Sequence, residues 1–291
     1  MRVALVTNAA AGSGTDGGRI AALLRDAGAE VVVHTFDPED GDGAIDAAAA
    51  AAAADRPDRL AVAGGDGSIG PVAVHAAGAD LALAVIPAGT ANDFARALDI
   101  PRDLEAACAL AVRETRERPI DLLRAGERPF LNAASVGLSV IAARHARPLK
   151  RPLGPFAYAV GALRAGLTAT PLRCHVTADG AQVHSGPAWQ VIVAGTGAFG
   201  GGSELDDADP SDRLVDVAVL EAGPRHKLVR RAWGMRGGDL TAQPGVRHAR
   251  GTVIDLEVPP DTPFNVDGEV CRVAPARFSA RGERVRVVCR P

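Results

Sequence analysis

Two short stretches of the chain hold residue types suited to phosphate chemistry. Ala63-Gly64-Gly65-Asp66-Gly67-Ser68 is followed downstream by Pro87-Ala88-Gly89-Thr90-Ala91-Asn92-Asp93-Phe94-Ala95-Arg96. Each comes directly after a compact apolar run, Leu60 to Ala63 and Leu81 to Ile86, of the kind that forms a buried strand. Both glycine turns are therefore predicted to open from strand ends into helices, where backbone N–H groups approach a phosphate that side chains would hold off. Asp66 adds an acid inside such a turn. A carboxylate beside bound phosphate is repulsive unless a divalent cation lies between them, which makes Asp66 a candidate magnesium contact; the alternative is a helix N-cap. In the second turn Thr90 can donate its hydroxyl to a phosphate, while Asn92 or Asp93 caps the helix running on to Leu98. A third loop, Asn8-Ala9-Ala10-Ala11-Gly12-Ser13-Gly14, suits either a phosphate or an ordinary flexible turn. None of these is a Walker loop, whose spacing and lysine are absent. The dinucleotide fingerprint is absent too, because Gly12-x-Gly14 leads to Gly17 within a longer loop.

The elements that position these turns follow a clear rhythm. Strand-like runs (Val3 to Val6, Glu30 to His34, Leu60 to Ala63, Leu81 to Ile86) alternate with helix-like ones (Ile20 to Ala27, Ala44 to Ala54, Ile69 to Ala77, Leu104 to Arg113). Such alternation predicts an α/β domain with a parallel sheet flanked by helices. The alanine run Ala47 to Ala54 is of low complexity and is expected to be a helix. Beyond about residue 125 the rhythm changes to short β-rich pieces: Phe130 to Ala134, Leu172 to Ala178, Gln190 to Ala194, Leu214 to Leu220, Val253 to Val258, Phe264 to Val266 and Arg284 to Val288. Asp179-Gly180 and Asp267-Gly268 read as turns between strands, so a mainly antiparallel β-sandwich is expected. Helical segments at Phe156 to Leu167 and Lys227 to Met235 interrupt it. The polar stretch Asp121 to Arg128 marks the boundary, giving domains 1–125 and 126–291, with the last strand able to return to the first domain. A cleft between domains is the expected place for chemistry.

Composition narrows the function. The chain has 291 residues, 47% apolar and 23% charged, with a formal charge of -3. That balance fits a globular protein and gives no basic field for nucleic acid, and aromatic residues at 3% offer no stacking platform. Cys108, Cys174, Cys271 and Cys289 lack C-x-x-C spacing, which argues against zinc and a disulfide framework and fits a reducing cytoplasm. The histidines show no paired ligand spacing. The N-terminus reads as a strand rather than a signal peptide, and no apolar run approaches a membrane span.

Taken together, the Gly-Gly-Asp-Gly turn, the Pro-x-Gly-Thr-x-Asn-Asp-Phe-Ala-Arg block and the late Val266-Asp267-Gly268-Glu269 resemble the diacylglycerol kinase catalytic family, which includes bacterial soluble lipid kinases and sphingosine kinases. Pro119-Ile120-Asp121, Asn132-Ala133-Ala134-Ser135-Val136-Gly137, Gly154-Pro155-Phe156-Ala157-Tyr158 and Gly200-Gly201-Gly202 occur in family order. The resemblance implies phosphorylation of a lipid hydroxyl, diacylglycerol or similar, by ATP with Mg2+. The nucleotide site it implies comprises the Asn8 to Gly14 loop, Thr35, Gly64, Gly65, Asp66, Gly67, Ser68 and Thr90. It also implies Glu269 as proton acceptor, with Asp267 orienting it or the metal. A second, structural magnesium turn is implied at Asp209, Asp212 and Leu214, where Arg213 stands in place of the usual glycine.

Other departures are Ala9 for proline, Ser68 for threonine, Gly70-Pro71 for Asn-Glu, and Gly195-Thr196 for asparagine. Kinases of a soluble substrate such as NAD share the Gly-Gly-Asp-Gly turn but not the Pro-Ala-Gly-Thr-Ala-Asn-Asp-Phe block, and Gly70-Pro71 with Arg213 leave room for an inactive nucleotide- or lipid-binding relative. Arg144, Arg147, Lys150 and Arg151 lie before the apolar Gly154 to Tyr158 segment, either as a lip for anionic membrane surfaces or as a solvated helix end. Exposed sheet edges would admit a homodimer.

Overall fold

The computed structural model describes residues 1–9, 17–41, 43–114, 116–149, 156–199, 203–205, 208–226, 228, 240–280 and 282–290. Gly12, Ser13, Gly14, Lys150, Arg151, Gly154-Pro155, Gly200-Gly201-Gly202, most of the Lys227 to Met235 segment and Trp233 lie outside them, as does the side chain of Arg147. The chain divides into two compact units, Met1–Leu122 with Glu283–Pro291, and Leu123–Gly282.

The first unit is built on strands β1 (Arg2–Asn8), β2 (Glu30–Phe36), β3 (Arg59–Gly64), β4 (Ala82–Pro87) and β5 (Glu117–Asp121), with helices α1 (Gly17–Asp26), α2 (Gly43–Ala54), α3 (Asp66–Gly78), α4 (Asp93–Ala97) and α5 (Leu104–Arg113). β2, β1, β3 and β4 pair in parallel in that order. β1, β3 and β4 are buried along nearly their whole length, which explains their unbroken apolar runs: helices cover both faces of a parallel sheet. The alanines of α2 do the same at close range, with Ala48, Ala49 and Ala52 buried.

The strand Arg284–Val288, read as a β-rich piece of the second half with the option of returning to the first domain, lies in this first sheet. It runs parallel to β4 and antiparallel to β5, inserted between them. Val285, Val287 and Val288 are buried, while Arg284 Nε donates to Asp121 at 2.6 Å and Arg286 Nη1 to Glu117 at 2.6 Å. Local sequence pattern identifies a strand but not its neighbour, and here cross-strand ion pairs on β5 help to select the partner.

The second unit comprises β6 (Leu123–Ala125), β7 (Arg128–Phe130), β8 (Ala133–Gly137), β9 (Leu172–Ala178), β10 (Ala181–Ala194), β11 (Ala198–Phe199), β12 (Ser203–Glu204), β13 (Val215–Glu221), β14 (Val246–Gly251), β15 (Val253–Glu257), β16 (Phe264–Val266), β17 (Glu269–Cys271) and β18 (Arg277–Ser279), with helices α6 (Leu138–Ala146) and α7 (Phe156–Thr168). Apart from the β11–β12 pair, its strands form one antiparallel sheet. The long β10 pairs through its first half with β9 and through its second with β8 and β13, so the sheet curls around a shared interior. Val191 and Val193 face that interior with Val176, Phe264 and Phe278, and Phe130 meets Phe278 edge to face. Ile192 points the other way, to a cluster with Trp189, Ala218 and Leu220. The second half of this strand, Ala188 to Ala194, is buried on both faces, which is why its apolar run Val191 to Ala194 is unbroken.

α6 and α7 cross closely at Gly161, where a Cβ would stand 2.4 Å from the Ala142 carbonyl oxygen. Gly161→Val therefore forces the helices apart and should lower the unfolding free energy by about 1–3 kcal/mol. Urea denaturation checks this: the midpoint should fall while the slope stays constant.

Candidate nucleotide site

In an open parallel sheet, ligands bind beyond the carboxyl ends of the strands. In the first unit β1 ends at Asn8, β3 at Gly64 and β4 at Pro87, with Thr35 near the end of β2. The sheet thus brings Asn8, Thr35 and both glycine turns to one edge. Asn8 is half-buried, and Thr35 and Thr90 are exposed.

The two turns are fastened to each other. Because β3 and β4 are parallel neighbours with Gly64 opposite Pro87, Ala88 N–H reaches Gly64 O at 2.9 Å. Beyond that bond the backbones touch: a Cβ on Gly89 would lie 2.5 Å from Gly65 Cα, and one on Gly65 would lie 3.4 Å from Gly89 Cα. These glycines are needed first for each other, and the exposed backbone they leave is what can meet a phosphate. Asn92 adopts φ 51° and closes the second turn on itself. Its Oδ1 accepts from Gly89 N–H and its Nδ2 donates to Gly89 O, both at 2.9 Å.

Neither Asn92 nor Asp93 caps α4, contrary to expectation. Asn92 is in the N-cap position but makes no side-chain cap bond, and its amide serves the turn instead. Asp93 is buried and binds Arg96 at 2.7 Å. The cap comes from Asp66, whose Oδ1 accepts from Phe94 N–H at 2.9 Å. Asp66 begins α3, where Gly65 holds the N-cap position, so it caps a helix other than the one it starts. That long-range cap could not be found from spacing within either motif.

Burial holds the Asp66 carboxyl above the usual carboxylate range. The Phe94 N–H opposes this, and the nearby Asp93 charge adds to it. Two partly or wholly buried carboxylates where the two turns meet, with Arg96 beside the second, suit a cation that phosphate oxygens help to hold; magnesium is commonly bound in this way by one or two carboxylates and substrate phosphates. Among the described residues no group of three or more His, Cys, Asp or Glu side chains could hold a metal alone. Pro71 lies inside α3 without breaking it, although it has no N–H to offer the carbonyl of Gly67.

In the second unit, Asp267 (φ 46°) and Gly268 (φ 90°) form the two-residue turn joining β16 to β17. The Asp267 carboxylate accepts from three backbone N–H groups. Its Oδ1 accepts from the N–H groups of Asn132 and Ala133, its Oδ2 from Leu131, all at 2.9–3.0 Å, so it staples the hairpin to the chain entering β8. Glu269 begins β17, half-exposed, and pairs with Arg128, a partner that the motifs did not indicate. Asn132, behind this segment, is buried and accepts from the hydroxyl of Thr196, the residue that replaces the expected asparagine.

The implied second magnesium turn does not fit a metal. Asp209 Oδ1 accepts from Ser211 N–H and Asp212 Oδ1 from Leu214 N–H, each at 2.9 Å, while Asp212 Oδ2 receives Arg250 Nη2 at 2.8 Å. Arg213 sits at φ 62°, the conformation that glycine takes without strain. The turn keeps its shape, but a guanidinium lies on the carboxylate that would meet the ion.

The first unit is a largely parallel sheet with two glycine turns at its carboxyl edge, and the second is a curled antiparallel sheet. Residues 2–125 match the diacylglycerol kinase catalytic domain, and residues 132–289 match the YegS C-terminal NAD kinase beta sandwich-like domain. A protein of Pseudomonas putida described as "probable lipid kinase YegS-like" is 36% identical over 229 residues, 75% of this chain and 72% of the relative. A diacylglycerol kinase of Bacillus subtilis is 30% identical over 236 residues, 79% of this chain and 77% of the relative. The crystal structure of a diacylglycerol kinase from Bacillus anthracis superposes with a TM-score of 0.77 at 21% identity, covering 100% of this chain and 97% of that one, and shows the fold alone. This chain belongs to the diacylglycerol kinase catalytic family, and by that membership it is a kinase.

The raised Asp66 pKa has a thermodynamic sign. The folded state holds this proton more tightly than the unfolded chain, so stability falls as pH rises from the unfolded value through the higher folded one, and the ionised carboxylate opposes folding at neutral pH. Asp66→Asn, which can still accept from Phe94 N–H, should raise the Tm of the nucleotide-free protein at pH 7.5 and narrow its pH dependence over the acid range. Calorimetry across pH 4–8 checks both, and a lower Tm for the variant at every pH would contradict the assignment.

Proposed function

We propose that this kinase transfers the γ-phosphate of ATP to the hydroxyl of a lipid, diacylglycerol or a close analogue, with Mg2+ as the cofactor. The observation that carries the nucleotide half is the pair of fastened glycine turns with Asp66 between them. Asn8, Thr35, Gly64 to Ser68 and Thr90 would hold ATP, and Asp66 would help to hold the cation, with Asp93 adding negative potential. Mg2+ when bound neutralises the charge of the phosphates. The bond from the γ-phosphorus to the β,γ-bridging oxygen breaks, a new bond to the lipid oxygen forms, ADP leaves, and the hydroxyl proton goes to a carboxylate.

Glu269 is the proposed proton acceptor. Asp267 supports that reading by contrast, since its oxygens serve three backbone donors and hold the hairpin in place. Glu269→Gln should lower transfer by about 100-fold or more while leaving ATP affinity nearly unchanged. The assay is labelled phosphate transfer from ATP to a lipid panel in mixed micelles. Normal turnover by the variant rejects the assignment, and loss in Asp267→Asn alone, with the fold intact by circular dichroism, moves the base to Asp267. Transfer to NAD and to no lipid selects the soluble-substrate alternative, and ATP binding without transfer selects an inactive relative.

The lipid half rests on charge and exposure. Residues 128–178 contain Arg128, Arg144, Arg147, Lys150, Arg151, Arg164 and Arg173 and not one Asp or Glu, in a chain whose formal charge is -3. Arg144 and Arg164 are exposed, and α7 turns Leu163 and Leu167 to solvent at 67% and 69% exposure, on the side away from Gly161. A basic, leucine-bearing helix pair suits peripheral contact with an anionic membrane surface, at about 1 kcal/mol per basic residue. Among the described residues no helix is long and apolar enough to cross a membrane. Sedimentation with phosphatidylglycerol vesicles at low salt should fall at least tenfold when Arg144, Arg147, Lys150 and Arg151 are reversed to glutamate, and Leu163→Gln with Leu167→Gln should weaken it further. Unchanged sedimentation removes this surface from the proposal.

A further inference from the structure

The turn at Asp209–Leu214 leads into β13, and the neighbouring strand β14 supplies the groups that face it. Asp216 stands directly opposite Arg250 in the β13–β14 ladder, with His248 two residues along on the same face. Asp216 is only 2% exposed, and both residues serve it: His248 Nε2 lies 2.7 Å from Oδ1, and Arg250 Nε lies 3.1 Å from the same oxygen and 3.3 Å from Oδ2. The other end of the same guanidinium reaches out of the ladder to Asp212 Oδ2 at 2.8 Å. One arginine therefore spans the buried carboxylate of the strand and the carboxylate of the turn. A fork of fixed donors suits this bridging task, and a lysine would not reproduce it.

A divalent ion at this turn would need Asp212 Oδ2 and would sit against a guanidinium already bonded to that oxygen. The charge is thus already present, and it is carried by the chain. We infer that Arg250 is a built-in cation that replaces a bound metal at the Asp209–Leu214 turn, so that this turn folds without magnesium while the nucleotide site still uses it.

Two experiments test this on the full chain without nucleotide. In the first, equilibrium dialysis against Mn2+ uses the Asp66→Asn protein, so that the nucleotide-site carboxylate contributes nothing. No binding that depends on Asp212 is expected up to millimolar Mn2+. Binding that Asp212→Asn removes would overturn the inference, and this arm does not depend on any change to Arg250. In the second, the Tm of the wild type should change by less than about 1 °C between EDTA and Mg2+, whereas Arg250→Met, which leaves Asp216 and Asp212 without their shared cation, should lower Tm by about 5 °C or more. Mg2+ should restore part of that loss in Arg250→Met, and Asp212→Asn should abolish the restoration. A wild-type Tm that falls in EDTA and returns with Mg2+ through Asp212 would show that the metal, not Arg250, holds the turn.

Discussion

The contact between the two glycine turns is the constraint on which the nucleotide half depends. Parallel pairing places the ends of β3 and β4 side by side, and the backbone of Gly65 meets that of Gly89 with no room for a side chain between them. Asp66 then crosses the same junction to cap α4. The cap gives a short helix, five residues long, a donor–acceptor bond that its own N-cap residue does not provide. It also fixes the Asp66 carboxylate at the turn, in a partly desolvated place beside another acid. The folded protein bears that electrostatic cost without an evident structural return, since a neutral acceptor would cap Phe94 equally well. A cation at the proposed nucleotide site would offset that charge.

How much of this was legible in the sequence follows from what each signal encodes. The apolar runs at β1, β3 and β4 mark strands because burial on both faces removes polar alternation, and the glycines after them mark sharp turns. Those signals are local. The insertion of Arg284–Val288 between β4 and β5 is not, because nothing within five residues names a neighbour some two hundred positions earlier. The same limit applies to Asp66 capping α4, to Gly65 and Gly89 needing each other, and to Arg250 answering Asp212. In each case the residue type was visible and its partner was set by topology. Arg213 shows the reverse: it stands in place of a glycine, yet its backbone takes the left-handed conformation that glycine favours, and a guanidinium from β14 lies on the carboxylate of Asp212.

Asp267 and Glu269 illustrate how a turn assigns different tasks to similar groups. They are two residues apart, on either side of Gly268 in one tight hairpin. The first faces back across the sheet to three consecutive N–H groups ahead of β8, donors that the entering chain would otherwise leave unserved. With its oxygens so committed it rigidifies the hairpin. The second lies past the turn, half-exposed, with an arginine beside it. The proton acceptor proposed at Glu269 would have room there to gain and lose a proton beside that arginine.

The chain handles acidic clusters in two ways, and the difference follows from whether the charge must change. At the glycine turns Asp66 and Asp93 lie beside the proposed nucleotide site, whose charge would alter as a triphosphate became a diphosphate, so an exchangeable ion would suit it better than a fixed one. At Asp212 and Asp216 nothing is exchanged. There a guanidinium supplied by β14 neutralises two carboxylates permanently, one of them buried within the sheet, and its position is held by the ladder itself. A metal could do the same only while free metal was present. A cation fixed in the sequence would remove that condition from folding, separately from the metal proposed for the nucleotide site.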